Sequence, residues 1–140
     1  MTLRINWAAL EAQLQRHEGV RLKPYTDTVG KLTIGVGRNL SDTGITMTEA
    51  LFMLRNDIAT AAAELEARLP WVVDLSPARQ QVLVNMVFNL GWFTFSKFKK
   101  MLAALQNKDF EMAAKQMLSS LWARQVGNRA VELAEQMRRG

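Results

Sequence analysis

The chain has 140 residues, 49% of them apolar, which suffices for one compact domain or two small lobes sharing a core helix, with no second independent domain needed. Eighteen basic against thirteen acidic residues give a net charge of +5, a balance that favours a polyanionic partner such as nucleic acid, an anionic membrane face or an acidic cell wall. Cysteine is absent and histidine occurs once, so disulfides and thiolate chemistry are excluded and a zinc site is disfavoured; no metal and no cofactor is expected.

The first residues are basic, but Asn6, Glu11 and Gln13 interrupt any apolar run, so the amino terminus reads as a first helix rather than a signal peptide. No window reaches the roughly 20 apolar residues needed to span a bilayer, and the expectation is a protein made in the cytoplasm. Asn6 can cap a helix over about 7–18, with Trp7, Leu10 and Leu14 spaced for one face. Five of the eight glycines fall between 19 and 44, and none from 45 to 90, which divides the chain into a turn-rich first part and a helical remainder. Leu22, Tyr25, Leu32, Ile34 and Val36, in segments separated by Asp27–Gly30, read as a small antiparallel sheet too small to stand alone.

Thr46 and Glu49 form a capping box that opens a helix running without glycine or proline to Leu69, before Pro70. At ~1.5 Å per residue such a helix spans roughly 35 Å, enough to join two lobes. Ser76 and Pro77 supply an N-cap and first-turn proline for a helix to Leu90, stopped by Gly91, whose stretch Val82–Phe88 is apolar nearly all round and marks the core helix. Shorter amphipathic helices follow near 96–106, 109–119 and 129–138, the last capped by Asn128. The tryptophans Trp7, Trp71, Trp92 and Trp122 read as packing residues, and His17 as a surface cation at a helix end. The expected class is mainly α with a small β-sheet lobe, the small lobe covering 12–60 and the helical lobe 1–11 and 61–140.

The densest segment is 17–38, where Glu18-Gly19 ends a helix, Tyr25-x-Asp27-x-x-Gly30 forms a turn, and Thr33-Ile34-Gly35-x-Gly37 follows on a strand. Taken singly, Glu18 is a solvated helix-end carboxylate, Asp27 a turn former and Thr33 a strand residue. Their order resembles the catalytic segment of the phage-type lysozymes, the T-even and lambdoid phage family of glycoside hydrolase family 24. Ile45-Thr46 with Leu51-Phe52, Asn85-Met86-Val87-Phe88-x-x-Gly91, and Trp122-x-x-Gln125-x-x-Asn128-Arg129-Ala130 extend the resemblance over most of the chain.

The resemblance implies a lysozyme-like fold of two lobes joined by a long helix, and an endolysin, a muramidase that hydrolyses the β-1,4 bond between N-acetylmuramic acid and N-acetylglucosamine in peptidoglycan to lyse the host cell. By position, Glu18 matches the general acid, Asp27 the second carboxylate and Thr33 the threonine that helps hold the attacking water. Phe88 and Gln116 match substrate-contacting positions, and Arg129 a residue that pairs with the acid and borders the substrate. A glycosidic oxygen leaves poorly unless protonated, and inverting hydrolysis needs carboxyls roughly 6.5–9.5 Å apart, a gap that a threonine hydroxyl and a water can fill.

Where the family commonly has histidine after Thr-Ile-Gly-x-Gly, this chain has Arg38, and Asp57 stands where the histidine's aspartate partner would be. An Arg38–Asp57 pair is therefore expected, one that keeps its charge near neutrality because guanidinium does not titrate there. Asn89, shorter than the glutamine of the T-even enzyme, is expected to alter substrate contacts. The implied partners are peptidoglycan and a separate holin-type membrane pore, with a monomer acting first in the host cytoplasm and then on the wall. Two other classes compete with this reading. A cationic membrane-permeabilising protein accounts for the charge, whereas a nucleic-acid-binding module is disfavoured because Arg129 and Arg138 alternate with Glu132 and Glu135 along the last helix.

Overall fold

A computed structural model describes residues 2–140. Eight helices and one three-stranded antiparallel sheet make up the fold among these residues, an α+β arrangement of the lysozyme type. The chain separates into two compact units, one ending at Leu51 and the other Phe52–Gly140. This division differs from the expected one at 60/61, and it keeps residues 2–11 in the same unit as the sheet.

In the first unit α1 runs Trp7–Glu18. The Asn6 side chain accepts the Ala9 N–H at 3.1 Å, and Gly19, at φ +75°, ends the helix with its N–H on the Gln15 carbonyl. Strands β1 (Arg21–Thr26), β2 (Leu32–Gly35) and β3 (Arg38–Asn39) follow in spatial order 1-2-3, with Tyr25 opposite Thr33 and Thr33 opposite Asn39. Thr33 on the middle strand is the one buried residue of this unit among those described. Trp7 is exposed rather than packed as the sequence reading has it.

Helix α2, Met47–Arg68, begins in the first unit and ends in the second. Its capping box forms as expected: Thr46 N–H donates to Glu49 Oε1 at 2.9 Å and Glu49 N–H to Thr46 Oγ1 at 3.1 Å. Pro70 cannot continue the helix and instead opens a 3-10 turn, Pro70–Asp74, which the sequence does not announce.

The second unit then adds α3 (Pro77–Leu90), α4 (Trp92–Phe95), α5 (Lys99–Gln106), α6 (Phe110–Leu118), α7 (Leu121–Val126) and α8 (Asn128–Arg139). Ser76 caps α3 through the Arg79 N–H, and Gly91, at φ +77°, stops it. Asp109 caps α6 and Ser120 caps α7. The N-cap of α8 is Gly127, not Asn128: the chain turns there at φ +59° and ψ −121°, a conformation reserved for glycine, so the helix starts one residue early.

Val82, Leu83, Met86 and Val87 of α3, Phe95, Met101, Leu105, Met117 and Met137 form the buried centre. Alanines 113 and 114 on α6 and 130 and 134 on α8 are also buried, and their small size lets these two helices approach closely. Trp122 is buried with its indole N–H on Asn89 Oδ1 at 2.7 Å, while Trp71 and Trp92 pack half-buried against the same core. The chain's last turn is clamped by Arg79, which donates to the carbonyls of Met137 and Arg138 at 2.7 and 2.9 Å. No helix of the described residues is long and apolar enough to cross a membrane.

Candidate active site

Glu18, Asp27 and Thr33 all lie in the first unit, and each is placed by a different local device. Glu18 is the last residue of α1, so its carboxyl sits where the helix stops. That carboxyl rests against the backbone of Gly37: a methyl group on Gly37 would lie 3.3 Å from Glu18 Oε2. The Glu18 carboxyl therefore lies beside the turn between β2 and β3.

Asp27 closes the turn between β1 and β2. Its Oδ1 accepts the N–H of Val29 at 2.9 Å and of Lys31 at 2.8 Å, while its own N–H donates to the Lys31 carbonyl at 2.8 Å. Both side-chain bonds end on one oxygen. The turn therefore fixes the carboxylate's direction without using Oδ2, and this is the sort of aspartate turn that the sequence signals.

Thr33 is 4% exposed and its Oγ1 donates to the Lys31 carbonyl at 3.0 Å. A hydroxyl has one proton and two lone pairs, so committing the proton to Lys31 leaves the oxygen to accept from a water. Lys31 thus joins the two polar residues through its backbone, its N–H serving Asp27 and its carbonyl serving Thr33.

Arg38 corrects the sequence reading. Its guanidinium places Nη1 and Nη2 each 2.8 Å from the two oxygens of Glu49, and Nη1 also donates to the Gly44 carbonyl at 3.1 Å. The partner is Glu49, not Asp57. Glu49 belongs to the first turn of α2, where the capping box already holds its carboxylate beside the Thr46 N–H, whereas Asp57 lies two helical turns further along. The two Arg38 bonds, and after them the Thr46 N–H, lower the Glu49 carboxyl to about 2, and Glu49 in turn raises the Arg38 guanidinium. A glutamate at the third helical position can satisfy a cap and an arginine at once, and this signal was available in the sequence.

In the second unit, Phe88 and Arg129 line one cavity of about 490 Å³ with Asn85, Val84, Leu54 and Ile58. The Arg129 fork grips Asn85 Oδ1 through Nη2 at 2.8 Å and Nε at 3.2 Å, a contact that sequence reasoning missed. Gln116 does not join them. It lines a separate cavity of about 500 Å³ with Lys97, Lys99, Lys100, Phe98 and Trp122. Asp57 borders a third, with Thr60, Glu64 and Phe88. Asn89, expected at the substrate, instead accepts the Trp122 indole N–H and so serves the core.

The model of the family described as phage lysozyme matches residues 15–139. Among curated proteins, the chain is 32% identical over 150 aligned positions to the pre-baseplate central spike protein Gp5 of Enterobacteria phage T4. That alignment covers 87% of this chain and 26% of the spike protein, so the chain spans about a quarter of that relative's length. A probable T4-type lysozyme of Dictyostelium discoideum is 28% identical over 152 positions, covering 88% of this chain and 89% of the relative. The endolysin of Acyrthosiphon pisum secondary endosymbiont phage 1 is 31% identical over 120 positions, covering 83% and 80%.

Proposed function

This chain belongs to the phage lysozyme family, and from that premise we propose that it is an endolysin that hydrolyses the β-1,4 bond between N-acetylmuramic acid and N-acetylglucosamine in peptidoglycan. Glu18 gives its proton to the glycosidic oxygen as the bond to the muramic acid C1 breaks. Positive charge builds on that carbon and its ring oxygen, and the Asp27 carboxylate stabilises it. A water accepted by Thr33 Oγ1 attacks C1, its proton passing to Asp27. One chain leaves with a new hydroxyl on glucosamine, the other with a reducing muramic acid end, and Asp27 then gives its proton to solvent while Glu18 takes one up. Direct attack by water requires the two carboxyls to stand roughly 6.5–9.5 Å apart when substrate is bound.

The observation that carries this reading is the hydroxyl of Thr33, buried on the middle strand with its proton committed to Lys31 and therefore poised to accept a water. Support also comes from Asp27, whose turn leaves one carboxylate oxygen outside its backbone bonds. In this reading Arg129 and Phe88 border the glycan from one cavity and Gln116 from another. Peptidoglycan is the partner, a monomer is the acting species, and a separate holin-type pore supplies the route from the host cytoplasm to the wall.

Mass analysis of fragments released from purified peptidoglycan tests the proposal. Muropeptides with reducing muramic acid ends are expected. Anhydro-muramic ends would make the protein a transglycosylase, and free stem peptides an amidase. Release of no fragment, together with leakage from vesicles of anionic lipid, would move the assignment to membrane permeabilisation.

A further inference from the structure

We propose that Gly37 is a positioning residue for Glu18: the missing side chain at 37 is what lets the carboxyl of the general acid take its place against the turn between β2 and β3. The role assigned to Glu18 rests on the muramidase reading, but the contact itself does not.

Gly19, Gly30, Gly35, Gly37 and Gly44 of the first unit all have positive φ, between +65° and +87°, so backbone conformation alone accounts for glycine at each. Gly37 differs in what surrounds it. A Cβ at 19, 30, 35 or 44 would meet nothing within 4 Å. At 37 it would stand 3.3 Å from Glu18 Oε2, 3.6 Å from Cδ and 3.8 Å from Cγ, so the nearest atom is closer than ordinary van der Waals contact and belongs to the carboxyl.

One of the two must then yield, and the turn is the firmer side. Ile34 pairs with Arg38 across the sheet, and the Arg38 guanidinium is held by Glu49 at 2.8 Å through both nitrogens and by the Gly44 carbonyl at 3.1 Å. Residue 37 is therefore anchored at its neighbour. Glu18 is the far end of a flexible, exposed side chain and moves at little cost in stability. Displacement of a few tenths of an ångström is negligible for folding but not for an acid that must reach one oxygen atom, since about 1 Å of misplacement can cost on the order of a hundredfold in rate.

Gly35 supplies the internal control, because at φ +70° it shares the positive φ of Gly37, at +74°, while having open space around its Cβ. Gly37→Ala and Gly35→Ala are expected to lower the melting temperature by similar amounts. Only Gly37→Ala is expected to shift the Glu18 ¹³Cδ resonance in solution and to lower kcat on peptidoglycan, by about tenfold, with KM unchanged. Gly35→Ala is expected to stay within about twofold of wild type in both. Should alanine at 37 prevent folding, Gly37→Asn carries the test, since asparagine tolerates positive φ yet still presents a Cβ to the carboxyl. The proposal is overturned if the Glu18 resonance moves equally in the 35 and 37 variants, or if kcat falls equally in both. A wild type that moves the resonance as expected on substitution at 37 but releases no reducing ends would overturn the muramidase reading and leave the contact standing.

Discussion

The two units of this chain hold their shapes by different physics. Every buried apolar side chain among the described residues lies in the second unit, from Ala61 to Met137, in a core built by α2, α3, Phe95 and the helices after it. Among its described residues the first unit has only Thr33 buried, and its form is written in polar contacts: Asn6 on α1, Asp27 across its turn, Ser41 accepting the Leu32 N–H, Asn39 on Asp42, Lys31 on Asp42 and Arg38 on Glu49. The proposed catalytic residues sit in the unit without an apolar core. Directional bonds place an oxygen more narrowly than packing does, but each is worth only about 0.5–1.5 kcal/mol net, so this unit trades stability for precision of placement.

That contrast predicts opposite responses to two substitutions. Glu18→Gln removes the proposed proton donor from an exposed position and is expected to lower release of reducing ends by at least about a hundredfold, with a thermal melt that matches wild type. Phe95→Ala empties a site that is fully buried and is expected to cost about 3–5 kcal/mol in denaturant unfolding. If Glu18→Gln lyses walls within tenfold of wild type, the assignment of the acid is wrong. If Phe95→Ala melts like wild type, the second unit does not rest on its core.

The polar scaffold of the first unit should also reveal itself through pH. Glu49 is held at about 2, below an ordinary value of 4.5, so its pairing with Arg38 stabilises the fold fully above pH 4.5 and is lost as pH falls towards 2. Wild type should therefore lose stability over that acidic window, and Glu49→Gln should be less stable than wild type at neutral pH and flatter below pH 4.5. Arg38→His would move a transition to neutrality: a histidine raised by Glu49 stabilises while charged and stops doing so as pH rises through its folded value. Thermal melts from pH 2 to 8 check both. Superimposable curves for wild type and Glu49→Gln below pH 4.5 would remove the pair from the scaffold.

The same contrast governs what the sequence could convey. Helix limits in the second unit follow from caps, prolines and glycines, which act within three or four residues: Ser76-Pro77, Gly91 and Asp109 all stand where periodicity places them. The elements that escaped are β3 at Arg38–Asn39, the 3-10 turn at Pro70–Asp74, α4 and α7, each too short to show a period, although Ser120 before α7 is a legible cap. In the first unit the turn at Asp27 was readable because an aspartate turn is local. The partner of Arg38 was readable in part: Glu49 and Asp57 are both acids on the same helix, and the capping box that pre-orients Glu49 is the local clue that favours it. Asn85 under Arg129 and Gly37 under Glu18 are contacts between distant segments, which no local pattern encodes.

The smallest expected effect sharpens the comparison from the side of the core. Lys108, between α5 and α6, has φ +58°, the only positive φ at a non-glycine among the described residues. Its N–H donates to the Leu105 carbonyl, and the Asp109 N–H to the Ala104 carbonyl at 2.8 Å, so the turn is closed by backbone bonds that use no side chain. A lysine Cβ in this conformation costs roughly 1–2 kcal/mol, and glycine avoids that cost but gives the unfolded chain more freedom, which takes back about 0.5–1 kcal/mol. Lys108→Gly should therefore stabilise by no more than about 1.5 kcal/mol, read as a small rise in the denaturation midpoint with an unchanged slope. Activity on peptidoglycan should stay at the wild-type level, since the strain lies in the unit whose shape is kept by packing. A clear destabilisation would mean that the Lys108 side chain itself holds the turn, and that polar scaffolding extends into the helical unit as well.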